Sequence, residues 1–432
     1  MDGHDLVPDI YITRVPVRNS NHVKAFVDKT LTYETEIPLQ DFTEKMLLAG
    51  VKLWTLWDGK SDSHHRSELI FNNHIVSNWS GKKVNFFDTG TDFDEGPDYQ
   101  VTAANLAAQL NEGYGMFHFA GHGNSRAIIM ESGKDFSIID AMELKNPFSG
   151  IMLSNACNVN AFDSIDPCLS EAFLRNPNGG CVAFFGSARY GFGNPDPSNT
   201  LGPSLKYNAS FMKYLFQDDP KTDWNSFGGL TSLVKSDFSH NGSSGGIYLY
   251  LLYAINAMGD PELPVYKNLP FTFDNVRLYR MGNSLTINTG GVNNCRICLT
   301  SLDLDQGYKK VVEDVSYHTF ENIPEAFQVT ITGSNYVPYT YVSGFATGIT
   351  GDLSPHIKVF PNPFQEFLRI HFDLPEGQLQ IYDVNGRLLK DMEVSFGENR
   401  INMSGYADGI YILRFTTKRG ISRFKVLKGA GF

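Results

Sequence analysis

The spacing of apolar residues changes character once along this chain, near Pro270, and that change restricts the fold more than any other feature. Before it, short apolar runs at 10–12, 51–57, 115–120, 150–154 and 181–185 read as buried strands. Between them lie stretches with helical spacing at 21–33, 67–76, 103–110 and from 170 to 175. Strands alternating with helices predict a parallel sheet covered on both faces. After Pro270 the helical pattern disappears. Strict alternation, as in 284–288 and 326–332, with Asx and Gly turns between, predicts a small immunoglobulin-like β-sandwich over 270–350. A linker near 351–355 leads to a second all-β unit over 355–432, with strands near 368–372, 378–383, 399–403, 409–415 and 422–427. Its Asn385-Gly386 pair is a strong hairpin signal.

Several function classes fall away on composition. Hydrophobic residues make up 42% and charged residues 19% of 432, which suits folded protein rather than disorder. A net charge of −11 lacks the basic face that nucleic acid requires. No uninterrupted apolar run reaches bilayer length, so no transmembrane segment is expected. Met1-Asp2-Gly3-His4-Asp5 is not a signal peptide, which leaves a cytoplasmic chain or one whose export signal lies upstream. Cys157, Cys168, Cys181, Cys295 and Cys298 form no disulfide framework. Cys295 and Cys298 are a C-x-x-C without a second pair to complete a zinc site, and they read as strand residues.

Two glycine-flanked elements follow predicted parallel strands: Ala120-Gly121-His122-Gly123 and Asn155-Ala156-Cys157-Asn158. Ligands of open α/β sheets bind at the carboxyl ends of the strands, where such loops converge. A cysteine nucleophile needs an imidazole to take its proton and N–H donors for the oxyanion formed at a carbonyl. Glycine beside the histidine admits substrate to the backbone. His122 and Cys157 are 35 positions apart, one strand-to-strand unit, so neighbouring strand ends can hold them. Either residue alone reads most simply as structural, and His118 reads as a strand residue.

His-Gly after one strand and Ala-Cys after the next is the order of the caspase-like clan of cysteine peptidases. Within it the chain resembles the gingipain family. The resemblance runs through Pro8-Asp9-Ile10-Tyr11-Ile12, Val27-Asp28-Lys29-Thr30, Gly121-His122-Gly123, Ala156-Cys157-Asn158-Val159-Asn160, Pro167-Cys168-Leu169-Ser170-Glu171-Ala172 and Gly259-Asp260-Pro261-Glu262. It implies a caspase-like α/β domain over 1–269 that lacks the family's smaller N-terminal subdomain. It also implies peptide-bond hydrolysis through an acyl-enzyme on Cys157. His122 would be the general acid/base, and the N–H groups of Gly123 and Cys157 the oxyanion hole. The family's histidine-orienting acid maps to Asp58, which also reads as an Asp-Gly turn. The aspartate that grips a basic P1 side chain maps to His64, two residues from Asp62, and an imidazole holds no guanidinium as a carboxylate does. Tyr190 and Phe192 map to the pocket wall, implying an apolar or small P1 residue. No cofactor is expected for the chemistry. The resemblance implies structural calcium, although no Asp-rich loop of the EF-hand kind is present.

At the other end, Pro361-Asn362-Pro363, Tyr382-Asp383-Val384-Asn385-Gly386-Arg387 and Gly409-Ile410-Tyr411 together resemble the sorting domain read by type IX secretion machinery. That implies export and attachment at the cell surface, and it favours the upstream export signal. The expected function is an exported cysteine endopeptidase acting on protein or peptide substrates. The alternatives are a catalytically silent surface or adhesion protein that keeps the fold, and a transpeptidase-type processing enzyme of the secretion system.

Overall fold

The computed structural model describes residues 6–35, 41–54, 61–88, 99–131, 133–148, 150–196, 201–216, 226–243, 246–303, 307–343, 357–383, 387–417 and 420–429. Runs that are apolar on both faces build the central sheet. Its first strands are β1 (Lys45–Gly50), β2 (Lys82–Phe87), β3 (Tyr99–Gln100) and β4 (Met116–Ala120). A small separate sheet follows, made of β5 (Gly123–Asn124), β6 (Ala127–Ile128) and β7 (Phe136–Ser137). The main sheet resumes with β8 (Ile151–Ser154), β9 (Ala183–Ser187) and β10 (Ile255–Met258). In space the order is β10-β9-β8-β4-β1-β2-β3, parallel throughout except for antiparallel β10 at the edge. Sequence order runs outward in both directions from the β1/β4 boundary, so the loops after those two strands diverge and leave a crevice there.

Helices cover the two faces: α1 (Ser20–Thr35), α2 (Asp62–His74), α3 (Ala103–Leu110), α4 (Ile138–Glu143), α5 (Leu169–Arg175), α6 (Pro203–Phe216), α7 (Phe227–Ser243) and α8 (Gly246–Ala254). Alternate strand residues point to opposite faces. Leu47, Ala49, Phe117 and Phe119 therefore pack with Leu106 of α3, Ala141 of α4 and Phe173 of α5. Met46, Leu48, Leu153 and Phe185 pack with Phe71 of α2, Phe211 of α6, Leu230 of α7 and Leu251 of α8. Each of the large apolar side chains buried here is worth about 1.5–3 kcal/mol over its exposed state.

Farther along, one antiparallel sheet joins β11 (Arg277–Met281), β12 (Ser284–Asn288) and β15 (Tyr317–Phe320). A second has the order β14-β13-β16-β17, from β13 (Cys295–Ser301), β14 (Lys309–Val315), β16 (Phe327–Thr332) and β17 (Tyr339–Ser343). Cys295 points inward and Cys298 lies on the other face of β13, as an i, i+3 pair on a strand must. Both are free thiols, so the C-x-x-C is a stretch of strand. The last region comprises β18 (Ile357–Phe360), β19 (Phe367–Asp383), β20 (Leu388–Asn402), β21 (Gly409–Thr417) and β22 (Gly420–Lys428), around Leu368, Ile370, Phe372, Ile381, Leu413 and Phe415. The chain divides into two compact units, Met1–Cys298 with Lys310–Asn322 and Thr330–Thr340, and Leu299–Lys309 with Ile323–Val329 and Tyr341–Phe432.

Some predicted elements move. The strand expected at 51–57 is β1, several residues earlier, because 45–50 is the run buried on both faces. Val51 still donates to Ala120 O at 3.0 Å, after which the chain leaves the sheet. Residues 10–12 are exposed and form no strand; only Arg14 bridges to Met258. The two strands expected at 368–372 and 378–383 are one, β19, with a register shift between Phe372 and Glu376. The Asn385-Gly386 turn lies outside the described residues.

Candidate active site

Parallel pairing of β4 with β8 puts two loops side by side at their carboxyl ends. His122 follows β4 after one glycine and is exposed. Its carbonyl accepts from Ile129 N–H at 3.1 Å, which folds the chain back into the β5–β6 hairpin. Cys157 follows β8 and is half-buried. The two loops touch. A Cβ placed on Gly123 would lie 2.7 Å from Val159 Cγ1, 2.9 Å from Ala156 Cβ and 3.2 Å from Cys157 O, so only glycine allows this approach. Asn155 ties them further, its Oδ1 accepting from Gly121 N–H at 3.3 Å.

The cysteine turn is anchored from beneath. Asn158 adopts a left-handed φ of 59°, a region asparagine tolerates better than most residues. Its N–H donates to Arg189 O at 2.9 Å, and Asn160 N–H donates to Ser187 O at 3.0 Å. Fully buried Asn160 also donates through Nδ2 to Gly186 O at 3.3 Å and Asn256 O at 3.0 Å. Its Oδ1 accepts from Ser170 at 2.6 Å. The segment after β9 closes on the sulfur, with Gly191 N–H 3.2 Å from Cys157 Sγ. Among the described residues, the N–H of Cys157 itself donates no hydrogen bond.

The sequence-predicted site residues do not all gather here. The His122-Gly123 turn and the Cys157 turn do. Phe192 meets Tyr250 of α8 edge to face at 5.4 Å, and Tyr190, whose N–H donates to Tyr250 OH at 3.1 Å, is 69% exposed. His64 is only 4% exposed: its ring stacks on Phe87 at 4.4 Å and its Nε2 is 3.7 Å from Glu68 Oε1. So placed, it turns into the protein rather than towards a substrate. Asp58 lies outside the described residues. His118 is buried within β4, and that burial pushes its imidazole down to about 4. Sequence reasoning missed Gly191, Asn155, Trp54 and Arg66. The Gly191-Phe192-Gly193 repeat was the available signal for a close backbone approach, since a Cβ on Gly193 would fall 1.9 Å from the Trp54 ring.

Residues 1–266, more than half of the chain, match the description "Peptidase family C25". The chain belongs to that family. Residues 358–428 match "Secretion system C-terminal sorting domain", so this C25 chain carries a type IX sorting domain and is marked for export to the cell surface. Gingipain R2 of Porphyromonas gingivalis is 22% identical over 440 residues, covering 96% of this chain and 54% of the relative. Lys-gingipain HG66 of the same organism is 22% identical over 290 residues, covering 63% and 16%. The C25 chain thus spans about half the length of the first relative and less of the second. Among solved structures, the Arg specific cysteine proteinase gingipain R superposes with a TM-score of 0.62 at 20% identity, over 79% of this chain and 76% of that one. A complex of pro- and mature domains from Porphyromonas gingivalis gives 0.60 at 19%, over 79% and 78%. These likenesses establish the α/β fold with its all-β continuation. Among the described residues of the C25 chain, no group of three or more His, Cys, Asp or Glu side chains converges as metal ligands do. No described helix is long and apolar enough to cross a membrane.

Proposed function

We propose that this chain hydrolyses peptide bonds as a cysteine endopeptidase after export. The observation that carries the reading is the packing of the His122-Gly123 turn against the Cys157 turn at the ends of adjacent parallel strands. Cys157 Sγ attacks the scissile carbonyl carbon while His122 takes the thiol proton. The tetrahedral oxyanion accepts from the N–H groups of Gly123 and Cys157. Collapse expels the amine, which receives its proton from His122, and leaves a thioester. Water, deprotonated by the same imidazole, then releases the acid and the thiol. Asp58 is proposed to orient the imidazole.

An uncharged P1 residue fits this site. Asp62, two residues before the mapped specificity position, has an inaccessible side chain that faces Arg66 at 3.7 Å. Phe192 and Tyr190, the two neighbours of Gly191, offer apolar surface instead. The modules proposed are a catalytic domain over 1–269, an immunoglobulin-like sandwich over 270–350 and a sorting domain over 355–432 engaged by the type IX machinery.

The test is mass spectrometry of a diverse peptide library incubated with the full chain and with Cys157→Ala. Cleavage lost in the variant, at sites with apolar P1, supports the reading. A cooperatively melting wild type that neither cleaves nor reacts with an electrophilic peptide at Cys157 overturns it and leaves a silent surface protein. Transfer of the acyl group to an added amine, in place of hydrolysis, indicates the transpeptidase.

A further inference from the structure

Arg66 sits on α2 with a side chain only 1% accessible, in a domain where almost every other buried group of its size is apolar. Burying a guanidinium costs several kcal/mol unless its hydrogen bonds are met, and a methionine fills similar space without that cost. Where its bonds go is therefore informative. Nη2 donates to Asn194 O, and to Asp196 O at 3.2 Å. The plane lies over the Trp54 ring at 5.4 Å. Asp62 Oδ2 is 3.7 Å from Nη1, and its Oδ1 accepts from Leu53 N–H at 2.8 Å. Ser63 Oγ donates to Val51 O at 2.6 Å. The start of α2 thus grips two loops, the one leaving β1 and the one running through 191–196. The second loop is the one that contacts the nucleophile, through Gly191 N–H.

We propose that Arg66 is a positioning residue for Cys157. It holds 191–196 down onto Trp54, so that the Gly191 N–H stays aimed at Sγ and Phe192 stays against Tyr250. An N–H aimed at sulfur favours the negative charge that the reactive thiolate carries. Releasing the loop removes that donor and loosens the pocket wall, without touching Cys157 or His122. The assignment builds on the peptidase reading, but its test does not depend on peptide cleavage.

The experiment compares full-length wild type, Arg66→Met, Arg66→Lys and Trp54→Phe for the rate of iodoacetamide alkylation at Cys157, located by peptide mapping. Each protein's melt is followed, and kcat and KM are measured for any cleaved peptide. The expected result is a roughly tenfold slower alkylation in Arg66→Met with the thiol still fully titratable, and partial recovery in Arg66→Lys. Trp54→Phe should show a smaller loss, with kcat falling more than KM rises. If Arg66→Met does not melt cooperatively, the other two variants decide the matter. Wild-type alkylation rates in every variant that folds overturn the proposal. A wild type that is alkylated but cleaves nothing counts against the peptidase reading alone, and the alkylation comparison still settles the role of Arg66.

Discussion

Substituting Gly123 by alanine tests the loop contact on which the site depends. The new Cβ would approach Val159 Cγ1 to 2.7 Å and Ala156 Cβ to 2.9 Å. Carbon atoms in comfortable contact stand about 3.5–4.0 Å apart, so the two turns must separate by about 0.6–0.8 Å. No left-handed φ is involved, so the penalty is steric: overpacking of this size costs about 1–3 kcal/mol of stability. The N–H of residue 123 remains, but it moves away from Cys157 along with the imidazole. Misplacing reacting groups by about 1 Å costs on the order of a hundredfold in rate. A fall of 30- to 100-fold in kcat/KM is therefore expected, about 2–2.7 kcal/mol of transition-state stabilisation. The assay is peptide cleavage normalised to alkylatable Cys157, with Tm from calorimetry alongside. A Gly123→Ala protein with wild-type Tm and wild-type kcat/KM would refute the close contact. A lowered Tm with an unchanged rate would show that the strain is relieved elsewhere and that these turns are not the reacting pair.

His122→Ala should lower kcat by about a thousandfold or more while leaving the melt unchanged, since the side chain is exposed and general acid–base catalysis is worth about 10²–10⁴; stopped or continuous peptide assays measure it. Asn160→Ala removes its hydrogen bonds to the Gly186 and Asn256 carbonyls and from the Ser170 hydroxyl, and should destabilise by about 2–4 kcal/mol in urea melts. Burial and the nearby Asp260 push half-buried Glu34 up to about 7. A folded value above the unfolded one means the protonated form supports the fold below about 4.5, and that support is lost as pH rises through about 7. Glu34→Gln should therefore stabilise by about 2 kcal/mol at pH 8 and hardly at all at pH 4.5, as denaturant melts at the two values will tell. His118 behaves oppositely: its depressed imidazole contributes fully above about 6.5 and loses that contribution as pH falls through about 4. His118→Leu should flatten the acid limb of a stability–pH curve.

How much of this was legible in the amino-acid order follows from the range of each interaction. The buried strands β4, β8 and β12 and the helix α3 were readable because apolar period and turn residues act within a few positions. The glycine beside His122 and the small residue before Cys157 marked where those strands end, and the family resemblance joined the two. Helices α6, α7 and α8 were not foreseen. Their aromatic and serine-rich stretches carry no clean helical stripe, and they are fixed by burial against the sheet. β1 was misplaced because Val51, Leu53 and Trp54 look as strand-like as the true run, and only pairing with β2 and β4 selects 45–50.

The sequence by itself determined the strand–helix alternation, the loss of helical spacing after Pro270 and the C-terminal sorting signature, and it singled out His122 and Cys157 as candidates. Each of these is written in residue types and short spacings. Only the tertiary structure decided that Gly123 lies against the cysteine turn, that His64 faces inward, and that Arg66 reaches across to Asn194 and Asp196. The Gly123 and Arg66 contacts join residues that sequence separates by about 35 to 130 positions. Their direction depends on which strands become neighbours and which side chains the core turns inward, and no local pattern encodes either.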